Sequence, residues 1–168
     1  MSTNTPPPKL GLTTPRQAVV SVLSGAIVAG LLILGFEAAG SFPPVVPWSV
    51  PVLLAGLAIA TAVYSRALPK RIEEKRLAPQ EGLAALAIGK SMIMTGALFA
   101  GAHIVYVMRY LSQLDAPLPS ARVFQGGATI IAALLLAGAG ALLERACVIR
   151  GDDDEGDDHP NGAHAEPV

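Results

Sequence analysis

Four long apolar stretches, about residues 17–39, 50–68, 82–110 and 123–146, alternate with short segments rich in proline or charge. Apolar runs of about 18 residues or more read as transmembrane helices. Helix punctuation agrees with them. Thr14 is a candidate N-cap, Pro15 suits the first helical position, and Gln17 completes a capping-box pattern. The first run is longer than the apolar core of a cleavable signal peptide, so it reads as a span. Ser41–Pro47 (SFPPVVP) is an uncharged turn whose shortness predicts an antiparallel hairpin of the first two helices, and Trp48 stands where an interfacial anchor belongs. Pro69–Glu81 reads as a solvated, charged loop bracketed by Pro69 and Pro79. Leu111–Arg122 reads as a second loop, with Pro117 and Pro119 as breakers and Ser120 as a cap. At ~1.5 Å per residue the third stretch reaches roughly 43 Å, beyond the ~30 Å hydrocarbon core, so it must tilt, kink or project. The expected fold class is therefore all-α, an integral membrane bundle of four transmembrane helices. Residues 14–150 form the domain, between a flexible tail at 1–13 and a disordered acidic tail at 151–168.

Composition sharpens this picture in two ways. Of 168 residues, 52% are apolar and 15% charged, and the polar tails make the middle more apolar still. The charges fall at the ends of the apolar runs. Lys9, Arg16, Arg66, Lys70, Arg71, Lys75, Arg76, Arg145 and Arg150 lie on one side, against Arg109 and Arg122 on the other. The excess of Lys and Arg predicts that both termini and the middle connection are cytoplasmic in a bacterial plasma membrane. That layout is not a basic patch with reading elements, so no nucleic-acid partner is expected. The lone cysteine, Cys147, excludes an intrachain disulfide.

In lipid, helices associate through close backbone approach and interhelical polar contacts. The third span offers Gly96 with Ala100 and Ala97 with Gly101; the fourth offers Ala133, Ala137 and Ala141, with Gly138 and Gly140 beside them; the first offers Gly25 and Ala29. These small-residue faces serve either a compact four-helix bundle or a partner subunit.

Few residues are candidates for chemistry. Lys90 lies about eight residues into the third span. Three readings stand: its stem carries the ammonium back to the headgroups, it pairs with Glu144, or it handles substrate or protons. Glu37 lies near the outer end of the first span, within reach of Arg109 and of His103. A hydrated interfacial Glu is the plain reading, and a proton relay with His103 the bolder one. The sequence Gly89–Lys90–Ser91 resembles the end of a phosphate loop, but Ala84 stands where the first glycine is required and no strand precedes it. The acidic tail, Asp152 to Asp158 with His159 and His164, lacks calcium-loop spacing. Nothing beside Cys147 makes it a nucleophile. No catalytic set, metal site or cofactor is expected, and the chain does not read as an enzyme.

Several short motifs occur in order: Gly11, Leu12, Thr13, Pro15 and Arg16; the turn ending at Trp48; Gly89–Lys90–Ser91; Leu114–Arg122; and Leu142–Cys147. Their order and spacing resemble an uncharacterised family of actinobacterial membrane proteins, domain of unknown function 3180, over about residues 11–150. The resemblance implies a four-span layout in the plasma membrane and supplies no activity. The expected function is an accessory or scaffold protein acting through helix contacts, its partners being the lipid bilayer and a membrane protein or further copies of itself. The alternative is a small oligomeric transporter or channel subunit with a polar pathway near Lys90 and His103.

Overall fold

A computed structural model describes residues 12–73, 79–113 and 117–148. Four helices account for nearly all of them: α1 (Pro15–Ala38), α2 (Ser49–Glu73), α3 (Pro79–Tyr110) and α4 (Pro117–Val148), with a 3₁₀ turn at Leu111–Gln113. Each is long and apolar enough to cross a membrane, and no strand occurs among the described residues. The tails read as flexible or disordered lie almost wholly outside the described residues.

The start of α1 follows its sequence. Thr14 Oγ1 accepts from the Gln17 amide (3.4 Å) and Gln17 Oε1 accepts from the Thr14 amide (3.1 Å). The other boundaries need correction, and prolines explain most of them. Pro117 and Pro119 lie inside the first turn of α4, where a missing N–H is no loss. Ser120 is accordingly not a cap, and its hydroxyl donates to Pro117 O at 2.8 Å. Pro79 likewise begins α3, and α2 runs through Pro69 to Glu73. The loop expected at 69–81 is thus helical at both ends. Pro69 removes one hydrogen bond, and the helix-favouring residues after it carry the helix one more turn.

The spatial order of the helices is the larger correction. α1 packs on α3, α3 on α4, and α4 on α2, while α1 and α2 do not pack on each other. The hairpin expected from the short 41–47 turn is therefore not formed. Instead Gly40 (φ +67°) ends α1, with its amide on Glu37 O (3.0 Å) and the Ser41 amide on Phe36 O (2.9 Å). This is the Schellman closure that favours glycine in the left-handed region. The chain then runs extended over the ends of α3 and α4. Its ten residues, 39–48, can cover up to about 33 Å, enough to pass two helices about 10 Å wide.

Small residues set the two central contacts. Where α1 crosses α3, a Cβ on Gly25 would fall on the Leu98 carbonyl, and one on Gly101 on the Val22 carbonyl. Between α3 and α4, a Cβ on Gly96 would lie 2.5 Å from Ala133 O, and one on Gly140 would lie 2.7 Å from Gly89 O. The small-residue stripe expected to serve either the bundle or a partner, Gly96, Ala100, Gly101, Ala133 and Ala137, is used inside the molecule. Ala100 and Ala133 are buried, and Ala141 further along α4 is half-buried. Around them Leu54 and Ala58 of α2 pack with Ala132, Leu136 and Ala139 of α4.

Candidate functional site

Polar side chains gather at the two ends of the helices. We call the end with the start of α1 and the end of α4 the proximal end, and the other the distal end. Proximally, Glu144 is buried, and its Oε1 accepts from the Thr13 amide (2.6 Å) and the Thr13 hydroxyl (2.9 Å). This contact ties the residue preceding the α1 cap to the last turns of α4. The pairing considered for Lys90 with Glu144 is not present. The two do not approach within 4 Å, and Glu144 takes Thr13 instead. Lys90 stands half-buried in a shallow groove, open to the outside and about 430 Å³ in volume, along the face of α3 with Ala87, Ser91, Met94 and Thr95.

Hydrogen bonds to a charged group contribute about 1.5–3 kcal/mol. Glu144→Leu is therefore expected to raise hydrogen exchange at the Thr13 amide by at least about tenfold. Glu144→Gln keeps an acceptor and has a smaller effect. Unchanged exchange in Glu144→Leu would mean that this contact does not hold the segment.

Distally, three side chains of α3 and α4 fasten the 39–48 connection. Pro43, Pro44 and Pro47 donate no backbone hydrogen bond, so this stretch is rich in unpaired acceptors. Arg122 Nη2 donates to Pro43 O (2.9 Å) and the Tyr106 hydroxyl to Pro44 O (3.2 Å). With its amide oriented to suit both neighbours, Gln125 donates to Val46 O (2.8 Å) and accepts from Trp48 Nε1 (3.1 Å). The Arg122 guanidinium lies over the Tyr110 ring, 4.7 Å from its centroid, and its Nε is buried without a partner. Tyr110 in turn heads an aromatic ladder on α3 through Tyr106, His103 and Phe99, at centroid spacings of 5.3, 6.3 and 5.9 Å.

Glu37 and Arg109 come together beside this clasp. Arg109 Nη2 and Nε lie 2.7 and 2.9 Å from Glu37 Oε1, both residues being partly exposed. Exposed pairs of this kind contribute about 0–1 kcal/mol, so the contact positions more than it stabilises. With Gly40, Ser41, Phe42, Pro43 and Tyr110 the pair lines a cleft of about 310 Å³. His103 is engaged elsewhere: its Nδ1 lies 2.9 Å from Phe99 O, which fixes the proton on that nitrogen. The relay considered between Glu37 and His103 is thus not assembled, and neither the Lys90 groove nor the Glu37 cleft is lined by both Lys90 and His103.

Sequence reading missed Thr13, Arg122 and Gln125 as fastening residues, and Gly89 as a contact glycine. The spacing Gly89–Ile93–Gly96–Ala100 carries a signal for the last, since it repeats along one helix face. No comparable signal marks Arg122 or Gln125, whose partners are backbone carbonyls in a distant segment.

Residues 19–150 match the sequence model of a family described as protein of unknown function, DUF3180. No curated protein and no solved structure matches the chain.

Proposed function

The chain belongs to the DUF3180 family of proteins of unknown function, and from that premise we propose that it is an accessory protein of the bacterial plasma membrane. It lies with both termini cytoplasmic and binds a membrane-protein partner through its helices. The orientation rests on the excess of Lys and Arg at the proximal end.

One observation supports the accessory role above the others: α1 and α2 each pack against a single helix. In a closed bundle every helix has two neighbours. Here most of α1 faces outward, including Leu23, Ile27, Leu31 and Leu34, and a Cβ added at Gly30 or Gly35 would meet open space. Outward glycines let a second helix approach closely. The internal small-residue faces are already filled, so the partner surface is the outer side of α1 or α2 rather than the Gly96–Gly101 stripe.

Site-specific photo-crosslinking in native membranes tests this. Probes at Ile27 on α1 and Ile59 on α2, both exposed, are expected to yield a defined protein adduct from one flank, while a probe at Leu135 on the outer face of α4 yields none. Adducts to lipid alone at all three positions would sink the reading. Flux measurements on reconstituted Lys90 and His103 variants would then address the transporter alternative.

A further inference from the structure

We propose that the groove beside Lys90 binds an anionic phospholipid. The lipid phosphate lies between the Lys90 ammonium and the Ser91 hydroxyl, and one acyl chain follows α3 over Met94 and Thr95.

Three properties of the groove converge on this ligand. First, it holds a cation with no counter-charge: no carboxylate among the described residues lies within 4 Å of Lys90. Second, it offers free hydroxyls. Ser65 and Thr129 return their hydroxyls to backbone carbonyls of their own helices, at 2.9 and 2.8 Å. Ser91 and Thr95 are exposed, one turn apart, and neither has a hydrogen-bond partner among the described residues. Third, its depth fits. Lys90 and Arg109 are nineteen residues apart on one helix. At ~1.5 Å each that is about 28 Å, close to the ~30 Å hydrocarbon core. Arg109 stands with Glu37 at the distal boundary, so Lys90 reaches the opposite headgroup level.

A lipid phosphate brings negative charge to this level, while Ala87 and Met94 give the acyl chain an apolar floor. A partner helix would bury the ammonium against apolar atoms unless it supplied a carboxylate of its own. Arg16 is exposed at the same end and adds to the local positive field.

The test uses the full chain in nanodiscs of mixed phosphatidylglycerol and phosphatidylcholine, with retained lipids counted by native mass spectrometry. The wild-type chain is expected to keep phosphatidylglycerol in preference to phosphatidylcholine. Lys90→Gln should lower that preference about fivefold, the worth of one interfacial cation, and Lys90→Arg should keep it. Thr95→Leu fills the groove without altering charge and should also lower retention. Arg145→Gln, which removes an exposed cation at the same end but outside the groove, should lower it by clearly less than Lys90→Gln. Circular dichroism and gel filtration establish that each variant is folded. Equal loss in Lys90→Gln and Arg145→Gln, or full retention in Thr95→Leu, would reduce the effect to general surface attraction and overturn the site. A protein adduct at Thr95 that excludes the lipid would overturn it as well.

Discussion

Leucine in place of Gly101 is expected to drive α1 away from α3 and to cost about 3 kcal/mol, the upper part of the usual range for overpacking. The obstacle is the Val22 carbonyl, which a Cβ at Gly101 would strike, while Gly25 meets the Leu98 carbonyl in the same way from the opposite side. Neither obstacle is a flexible side-chain end, so the helices themselves must separate. α1 has few other holds: Gly25 and Ile33 are its buried residues, and its helix neighbour is α3 alone. Separation also pulls on the Ser21 hydroxyl, which lies 2.9 Å from Met94 Sδ. That contact supplies the measurement. In a Cys147→Ser background, cysteines at Ser21 and Met94 should be bridged by a short bifunctional thiol reagent readily in the parent and poorly with Gly101→Leu. Gly138→Leu, where a Cβ would meet open space, should leave both cross-linking and unfolding unchanged. If the two leucine variants behave alike, the crossing is not held by close backbone approach.

The second large effect is expected at Arg122. Arg122→Leu removes the donor to Pro43 O and the cation over Tyr110. A hydrogen bond from a charged group contributes about 1.5–3 kcal/mol, and a cation–π contact about 0.5–2. The two share one side chain and are not additive, so about 2–4 kcal/mol of local stability should be lost. The loss falls on the 39–48 connection, which has no backbone ladder of its own. Trp48 closes that connection, is the only tryptophan in the chain, and reaches Gln125 through its indole N–H. Its fluorescence is therefore a direct reporter. Arg122→Leu should shift Trp48 emission and speed amide exchange at Val45 and Val46. Arg122→Lys, which keeps charge but loses the planar fork, should fall between. Wild-type emission and exchange in Arg122→Leu would show that Tyr106 and Gln125 suffice to hold the connection.

The two effects belong to one design. The connection between α1 and α2 passes over α3 and α4 and is fastened to both by Tyr106, Arg122 and Gln125. The two outer helices are thereby set on separate neighbours, which leaves α1 and α2 with the outward faces on which the accessory reading rests. Loosening the clasp should disturb partner binding only if those faces are the ones used.

The sequence by itself determined the number and apolar character of the helices and that each is long enough to span, because a span must satisfy its backbone internally and cover the hydrocarbon thickness. It also determined the start of α1, since Thr14, Pro15 and Gln17 act on one another within a single turn. Prolines 79, 117 and 119 misled as breakers, because the same residue stops one helix and starts the next. Neighbours were decided only in the tertiary structure. In a water-soluble bundle the polar face of each helix points out, and periodicity says which face is in. In lipid both faces are apolar, so Leu23 outside and Ile33 inside carry the same signal. Small residues mark where backbones can approach, but not which helix arrives: Gly25 meets Leu98, and Gly89 meets Gly140. Ionic partners were equally illegible in pairs. Glu37 found Arg109, while Glu144 took Thr13 and left Lys90 in its groove, because a difference of one turn in register decides which long side chain comes within reach.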